Sequence, residues 1–203
     1  MTAESIRRTL SIHLPTPSLF VPDRDHAAVA LVLAGNESDL QLCFIRRVEK
    51  TNDPWSGHMA LPGGRASPGD ASPRAVAERE AREEVGLELG EPQLIGKLSE
   101  LPVRLGGVPT SMVLAPFVYH LGADAPALAP NDEVADAYWV SLEELWDPRN
   151  ATQLRIERDG VATAYPAIRF REQLIWGLTL RVLTLFSDLV GQPLPHLEMV
   201  EKL

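Results

Sequence analysis

The sequence predicts an α/β fold, and three observations point to it. Residues 26–34 (HAAVALVLA) are almost continuously apolar, as in a central strand covered on both faces. A second strand-like run, 40–46 (LQLCFIR), leads through a turn-rich segment and Gly63-Gly64 into a helical stretch. That stretch opens at Ser72-Pro73 and stops at Gly86. Two more apolar runs, 93–103 and 110–121, are joined by Gly106-Gly107 and have the pattern of an antiparallel pair.

Taken in order, residues 4–14 place Ile6, Leu10 and Leu14 at helical spacing, and Pro15, Pro17 and Pro22 then enforce an extended path. At 203 residues the chain suits one well-buried domain. The division is therefore residues 1–24 as helix and Pro-rich linker, and 25–203 as the domain. The N-terminal helix is expected to pack on the domain surface or on a second subunit. After the first strand Gly35-Asn36 supplies a turn, and residues 53–64 (DPWSGHMALPGG) are rich in turn formers. Trp55 and His58 are candidate cleft residues there, although a lone histidine also serves structural ends.

Pro116, inside the run 110–121, suggests an edge position or a bulge. A strand follows at 137–140, then Ser141 with Glu144 as a capping box for a short helix that Pro148 ends. Residues 154–168 form a hairpin around Asp159-Gly160. Residues 173–190 (QLIWGLTLRVLTLFSDLV) read as one long helix, apolar on most sides with Arg181 alone inside it. Such a helix is buried in its own domain or against a partner chain, so a homodimer is open.

A formal charge of −9 argues against a duplex nucleic-acid binder, which needs Lys and Arg to neutralise phosphates. A small phosphate-bearing ligand stays open, because a metal and a few local arginines can reverse the field inside one cleft. Cys43 is the one cysteine, so no intramolecular disulfide forms, and in its apolar run it reads as a small buried hydrophobe. The first residues lack the apolar core of a signal peptide and no run approaches the ~20 apolar residues of a membrane span. The expected location is cytoplasmic, with no membrane partner.

Within the helical stretch Ala77, Ala81 and Val85 fall at i, i+4 and i+8, a narrow stripe that can lie close against a sheet. Glu80, Glu83 and Glu84 share the neighbouring face, where like charges repel. Interleaved Arg74, Arg79 and Arg82 could compensate through weak surface ion pairs. A divalent cation is the alternative, since Mg²⁺ is held by carboxylate oxygens together with water and phosphates. Arg46 and Arg47 end the second strand near the same sheet edge, where arginine suits bidentate phosphate recognition. Gly63-Gly64 permits close backbone approach to a ligand.

The order and spacing of Gly64, Asp70 and Arg79-Glu80-Ala81-Arg82-Glu83-Glu84-Val85-Gly86-Leu87 resemble the Nudix box. Two departures, Asp70 in place of the usual Glu and eight rather than seven residues before Arg79, are similar to the coenzyme A diphosphatase branch of that family. Part of a second signature of that branch is present in Leu42-Cys43-Phe44-Ile45-Arg46, Gly57 and Leu61-Pro62-Gly63-Gly64, with longer spacing, Leu61 for Phe and no counterpart to a second Arg. Ile175-Trp176-Gly177-Leu178-Thr179 resembles its final helix.

The resemblance implies a Nudix-type α/β/α sandwich with a mixed, partly antiparallel sheet, and a Mg²⁺- or Mn²⁺-dependent diphosphatase acting on a small-molecule nucleotide. It implies that Glu80, Glu83 and Glu84 hold metal, that one of them or Glu133 is the general base, and that Arg79 pairs with an acid, plausibly Asp70, to orient the helix. Arg46, Arg47, Gly63 and Gly64 are the expected substrate contacts. Coenzyme A or acyl-CoA is the expected substrate. ADP-ribose, a dinucleotide or a nucleoside triphosphate is the alternative, and a non-catalytic nucleotide-binding module is the rival of another class.

Overall fold

The structure, a computed structural model, describes residues 1–15, 26–36, 39–51, 56–105, 108–158 and 160–195. Trp55, Pro17, Pro22, Gly106-Gly107 and Asp159 lie outside the described residues. At its centre β1 (His26–Ala34) pairs in parallel with β7 (Val108–His120) and antiparallel with β2 (Gln41–Arg47). All of β1 but Val29 is buried, which is why its sequence is apolar without alternation. Short strands β3 (Met59–Ala60) and β4 (Gly63–Arg65) pair with β2 and β1, and β8 (Val134–Ser141) runs along β2. Strands β5 (Leu94–Lys97) and β6 (Leu101–Leu105) both pair antiparallel with β7, completing a mixed eight-stranded sheet. A second, antiparallel sheet holds β9 (Ala151–Arg158), β10 (Val161–Phe170) and β11 (Gln173–Trp176).

Each face of the main sheet carries its own core. Ala28, Ala30, Val32, Cys43 and Ile45 lie with Val76, Ala77, Ala81 and Val85 of α2 (Pro73–Val85). The alternate residues Leu31, Leu33, Leu42 and Phe44 join Ile6 and Leu10 of α1 (Ala3–Ile12) and Leu180, Leu183 and Phe186 of α4 (Gly177–Leu189). Helices thus cover both faces, the sandwich the sequence leads one to expect. Between β8 and β9 lies the short α3 (Leu142–Trp146), where the Ser141 hydroxyl accepts from Glu143 N at 3.3 Å. No helix among the described residues is long and apolar enough to cross a membrane.

Helix α1 packs on its own chain. Gly96 of β5 leaves the space it fills, since a Cβ there would stand 2.7 Å from Leu10 Cβ. Pro116 is in an internal strand rather than at an edge. Its carbonyl accepts from Leu98 N at 3.0 Å, opposite the break between β5 and β6, so the missing N–H falls where no ladder partner is needed.

The single helix expected over 173–190 is corrected. Gln173 to Trp176 pair with Phe170 to Ala167 of β10, and the helix begins only at Gly177, whose φ of +63° turns the chain. Nor is α4 buried on most sides: Thr184 and Asp188 are exposed, and Arg181 reaches outward to the Pro102 carbonyl at 3.0 Å.

Because Ile6 is wholly buried and Leu10 nearly so, Ile6→Ala should lower unfolding free energy by about 2–5 kcal/mol in urea denaturation. A change below about 0.5 kcal/mol, the size of a surface substitution, would place α1 outside the folding unit.

Candidate active site

Helix α2 starts and stops on local chemistry. The Ser72 hydroxyl accepts from Ala75 N at 3.2 Å, Pro73 has no N–H to leave unpaired, and Gly86 closes the helix at φ +72°. Ala77 and Ala81 lie flat on the sheet, so the helix sits close to β1 and β4. The two glycines of β4 make that approach possible. A Cβ on Gly63 would stand 2.3 Å from the Ala28 carbonyl oxygen, and one on Gly64 would stand 2.3 Å from Glu80 Oε1. One glycine clears the strand and the other clears a carboxylate.

Glu84 is 2% exposed, and its Oε2 accepts from Gly63 N at 2.8 Å. Burial pushes its pKa up to about 8. The Gly63 N–H and the Arg47 guanidinium oppose the shift, while the charges of Glu80 and Glu133 add to it. Glu80 is also raised, chiefly by burial, with Arg79 opposing and Glu83 and Glu133 adding. These two acids therefore form an inward pair with excess negative potential.

Glu83 lies beside Glu80, both carboxylates meeting Arg79 Nη1 at 2.9 Å, but it is more exposed. Its half-exposed side chain accepts from Arg79 Nη1 at 2.9 Å, the i,i+4 pairing of an outer flank. Arg79 binds four groups at once: Asp70 Oδ1 and Oδ2 at 3.0 Å each, Glu80 Oε1 at 2.9 Å, Glu83, and the Arg65 carbonyl at 3.2 Å. Hydrogen bonding from Arg79, helped by Ser67 N at 2.7 Å, holds the Asp70 carboxyl below the usual range.

Strand alternation puts Arg46 on the face of Phe44 and Arg47 on that of Ile45. Arg47 Nη1 stands 3.9 Å from Glu84 Oε1. Arg46, across the sheet, grips Asp136 Oδ2 through Nε at 2.9 Å and Nη2 at 2.6 Å. The two arginines share one strand end but not one face.

Glu133 meets Lys50 Nζ at 2.8 Å, and its carbonyl accepts from Val48 N at 3.0 Å, which ties its loop to the end of β2. Lys50 and Asp136 escaped the sequence reading. Their partners lie 83 and 90 residues away, and no local pattern marks such pairs. His58 packs its ring edge-on against Trp176 at 4.8 Å, and Cys43 is buried, its thiol pushed up by burial and by Glu84.

Among the described residues no three His, Cys, Asp or Glu side chains are gathered closely enough to enclose a metal ion. The donor chemistry nonetheless fits one class of ion. Two hard carboxylates, Glu80 and Glu84, mutually repelling and cleared of a side chain by Gly64, match Mg²⁺ or Mn²⁺. Such ions keep water and substrate phosphates as most of their ligands and need no complete protein cage.

Residues 24–161 match the family model of the NUDIX domain. The chain belongs to the Nudix family. The uncharacterised Nudix hydrolase NudL of Yersinia pestis is 32% identical over 128 residues, covering 63% of this chain and 62% of that one. The uncharacterised protein C14C4.10c of Schizosaccharomyces pombe is 32% identical over 168 residues, covering 73% of this chain and 50% of that one. This Nudix chain thus spans about half to three fifths of the length of the curated relatives it matches. A MutT/nudix family protein from Enterococcus faecalis shares the fold with a TM-score of 0.56 at 17% identity, covering 93% of this chain and 69% of that one.

The Arg79–Asp70 pair gives a pH test. Arg79 holds the Asp70 carboxyl below its ordinary value of 3.8, so its contribution is complete above that pH and is lost as pH falls through the lower folded value. Asp70→Asn should cost about 1–3 kcal/mol at neutral pH, and the gap to wild type should close at low pH. Urea midpoints followed from pH 7 down to about pH 3 read this directly; a gap that persists unchanged at the acid end would contradict it.

Proposed function

We propose that this Nudix chain is a Mg²⁺- or Mn²⁺-dependent hydrolase of a nucleoside diphosphate linked to another group. Its leading substrate is coenzyme A or acyl-CoA, cleaved to adenosine 3′,5′-bisphosphate and 4′-phosphopantetheine. The single observation that carries the reading is the inward pair of Glu80 and Glu84, seated against Gly64 and the Gly63 N–H with Arg47 beside it.

A diphosphate resists attack because its own oxygens repel a nucleophile, and a bound divalent cation neutralises them and makes water more acidic. Glu80 and Glu84, with Glu83 beside Glu80 on the same Arg79 nitrogen, are the residues that would hold such a cation. Arg47, on the same face, donates to phosphoryl oxygens. Glu133 accepts the proton of the attacking water as the P–O bond to the leaving phosphate breaks. It is half exposed, turned by Lys50, and near enough to Glu80 and Glu84 to raise both. Arg79, locked by Asp70, holds Glu80 in place and keeps Glu83 on the flank.

Support for coenzyme A comes from contiguity. The two stretches that resemble its branch, 42–64 and 175–179, are far apart in sequence but touch. Arg46 of β2 pairs with Met59 of β3, the Thr179 hydroxyl donates to the Met59 carbonyl at 3.2 Å, and Trp176 lies against His58. Such a junction suits one extended ligand.

Incubation with Mg²⁺ and a panel of coenzyme A, acetyl-CoA, ADP-ribose, a dinucleotide and a nucleoside triphosphate should release 4′-phosphopantetheine or its acyl form. Consumption of another compound with neither coenzyme A product would move the substrate there. Glu84→Gln replaces a carboxyl whose pKa burial raises to about 8 and keeps an oxygen to accept from the Gly63 N–H, so it should fold at least as well as wild type while kcat falls about 100-fold or more. Undiminished turnover would remove Glu84 from the metal-holding role, whereas wild-type binding of these ligands with no turnover of any of them would favour the non-catalytic module.

A further inference from the structure

Arg171 is the non-glycine residue with positive φ among the described residues, at +53°. It closes the tight connection between β10 and β11, whose last pair is Phe170↔Gln173. Such positions favour Gly or Asn because a Cβ is strained there, and the β9–β10 hairpin does place Gly160 at φ +76°. An arginine kept at a strained position suggests that its side chain is used.

The Arg171 guanidinium lies over two rings, 5.4 Å from the centroid of Tyr138 and 5.0 Å from that of Phe170. Those rings meet edge to face at 5.3 Å and 72°. Tyr138 in turn hydrogen-bonds with Arg46 and Asp136. Asp136 matches the charge of Arg46, whereas Arg171 has no carboxylate partner among the described residues. A guanidinium stacked on aromatic faces is pre-organised, and its exposed fork suits a phosphate bidentately. Arg46 of this cluster is followed directly by Arg47, which stands 3.9 Å from Glu84 on the other face of the same strand end.

We propose that Arg171, supported by Tyr138, Phe170 and Arg46, binds a phosphate monoester carried on the nucleoside half of the substrate, away from the diphosphate that is cut. The proposal rests on the diphosphatase reading for its place in catalysis, and coenzyme A has such a group in its 3′-phosphate. The site makes discrimination, not cleavage, depend on Arg171.

Calorimetric titration without metal, using adenosine 3′,5′-bisphosphate and adenosine 5′-monophosphate, tests binding alone. Wild type should take up the bisphosphate about tenfold more tightly. Arg171→Gly accepts φ +53° without strain and so should fold, yet it should bring the two affinities within about twofold, and Arg171→Lys should recover part of the difference. Equal wild-type affinities, no measurable uptake of either ligand, or an unchanged preference in Arg171→Gly would overturn the proposal. Turnover of coenzyme A and 3′-dephospho-coenzyme A with Mg²⁺ separates the two readings. An Arg171-dependent preference in binding with neither compound cleaved supports the phosphate site and removes the hydrolase reading. Cleavage of both at equal kcat/KM in wild type and Arg171→Gly removes the phosphate site and leaves the hydrolase.

Discussion

A carboxylate with almost no access to solvent, wedged between a helix and the strand beneath it, sets the terms for the rest of this structure. Burying Glu84 unprotected would cost several kcal/mol, so its surroundings must supply hydrogen bonds and positive potential. The Gly63 N–H reaches it only because β4 lies hard against β1, which a side chain at residue 63 would forbid. The helix in turn comes near enough only because its underside is Ala77 and Ala81. Small residues, a glycine pair and one buried acid are therefore a single constraint, read from three sides.

Arg79 divides the remaining acids. Four groups satisfy its guanidinium, and Asp70 takes the two parallel bonds that fix its plane. With that plane fixed, Glu80 and Glu83 both meet Nη1 at 2.9 Å, Glu80 beneath Gly64 and Glu83 more open to water. A surface pair of this kind contributes little by itself, but a half-buried guanidinium with no spare donors orients everything it touches. The Arg–Glu–x–x–Glu–Glu order thus leaves at different depths residues that look equivalent on a helical projection.

What was legible in the sequence follows how local the determining interaction is. Ser72, Pro73 and Gly86 act on their own helix ends, and the unbroken apolar run of β1 reports burial on both faces, so both elements could be read directly. The stretch 173–176 could not. Its residues are apolar enough for either a helix or a strand, and only pairing with β10 decides, with Gly177 as the overlooked mark of the change. Strand alternation could have put Arg46 and Arg47 on opposite faces, yet their common edge suggested a common role. Lys50, Asp136 and Arg171 were beyond reach, because each acquires its setting from a segment folded against it from a distant part of the chain.

An acidic chain can still gather cations in one place. With a formal charge of −9 the surface as a whole repels a diphosphate, and a uniform scatter of the 19 lysines and arginines would leave that unchanged. At the end of β2 the distribution is not uniform. Arg46, Arg47 and Lys50 come from one short stretch, each facing a carboxylate from another part of the chain, Asp136, Glu84 and Glu133 respectively. Each cation is held by an acid that leaves it partly exposed. Opposite charges placed this way cancel at long range and remain strong within a few ångströms, where the effective dielectric falls. The acids that make the protein acidic are thus among the groups that hold its positive charges, and positive potential is local while the protein as a whole stays negative.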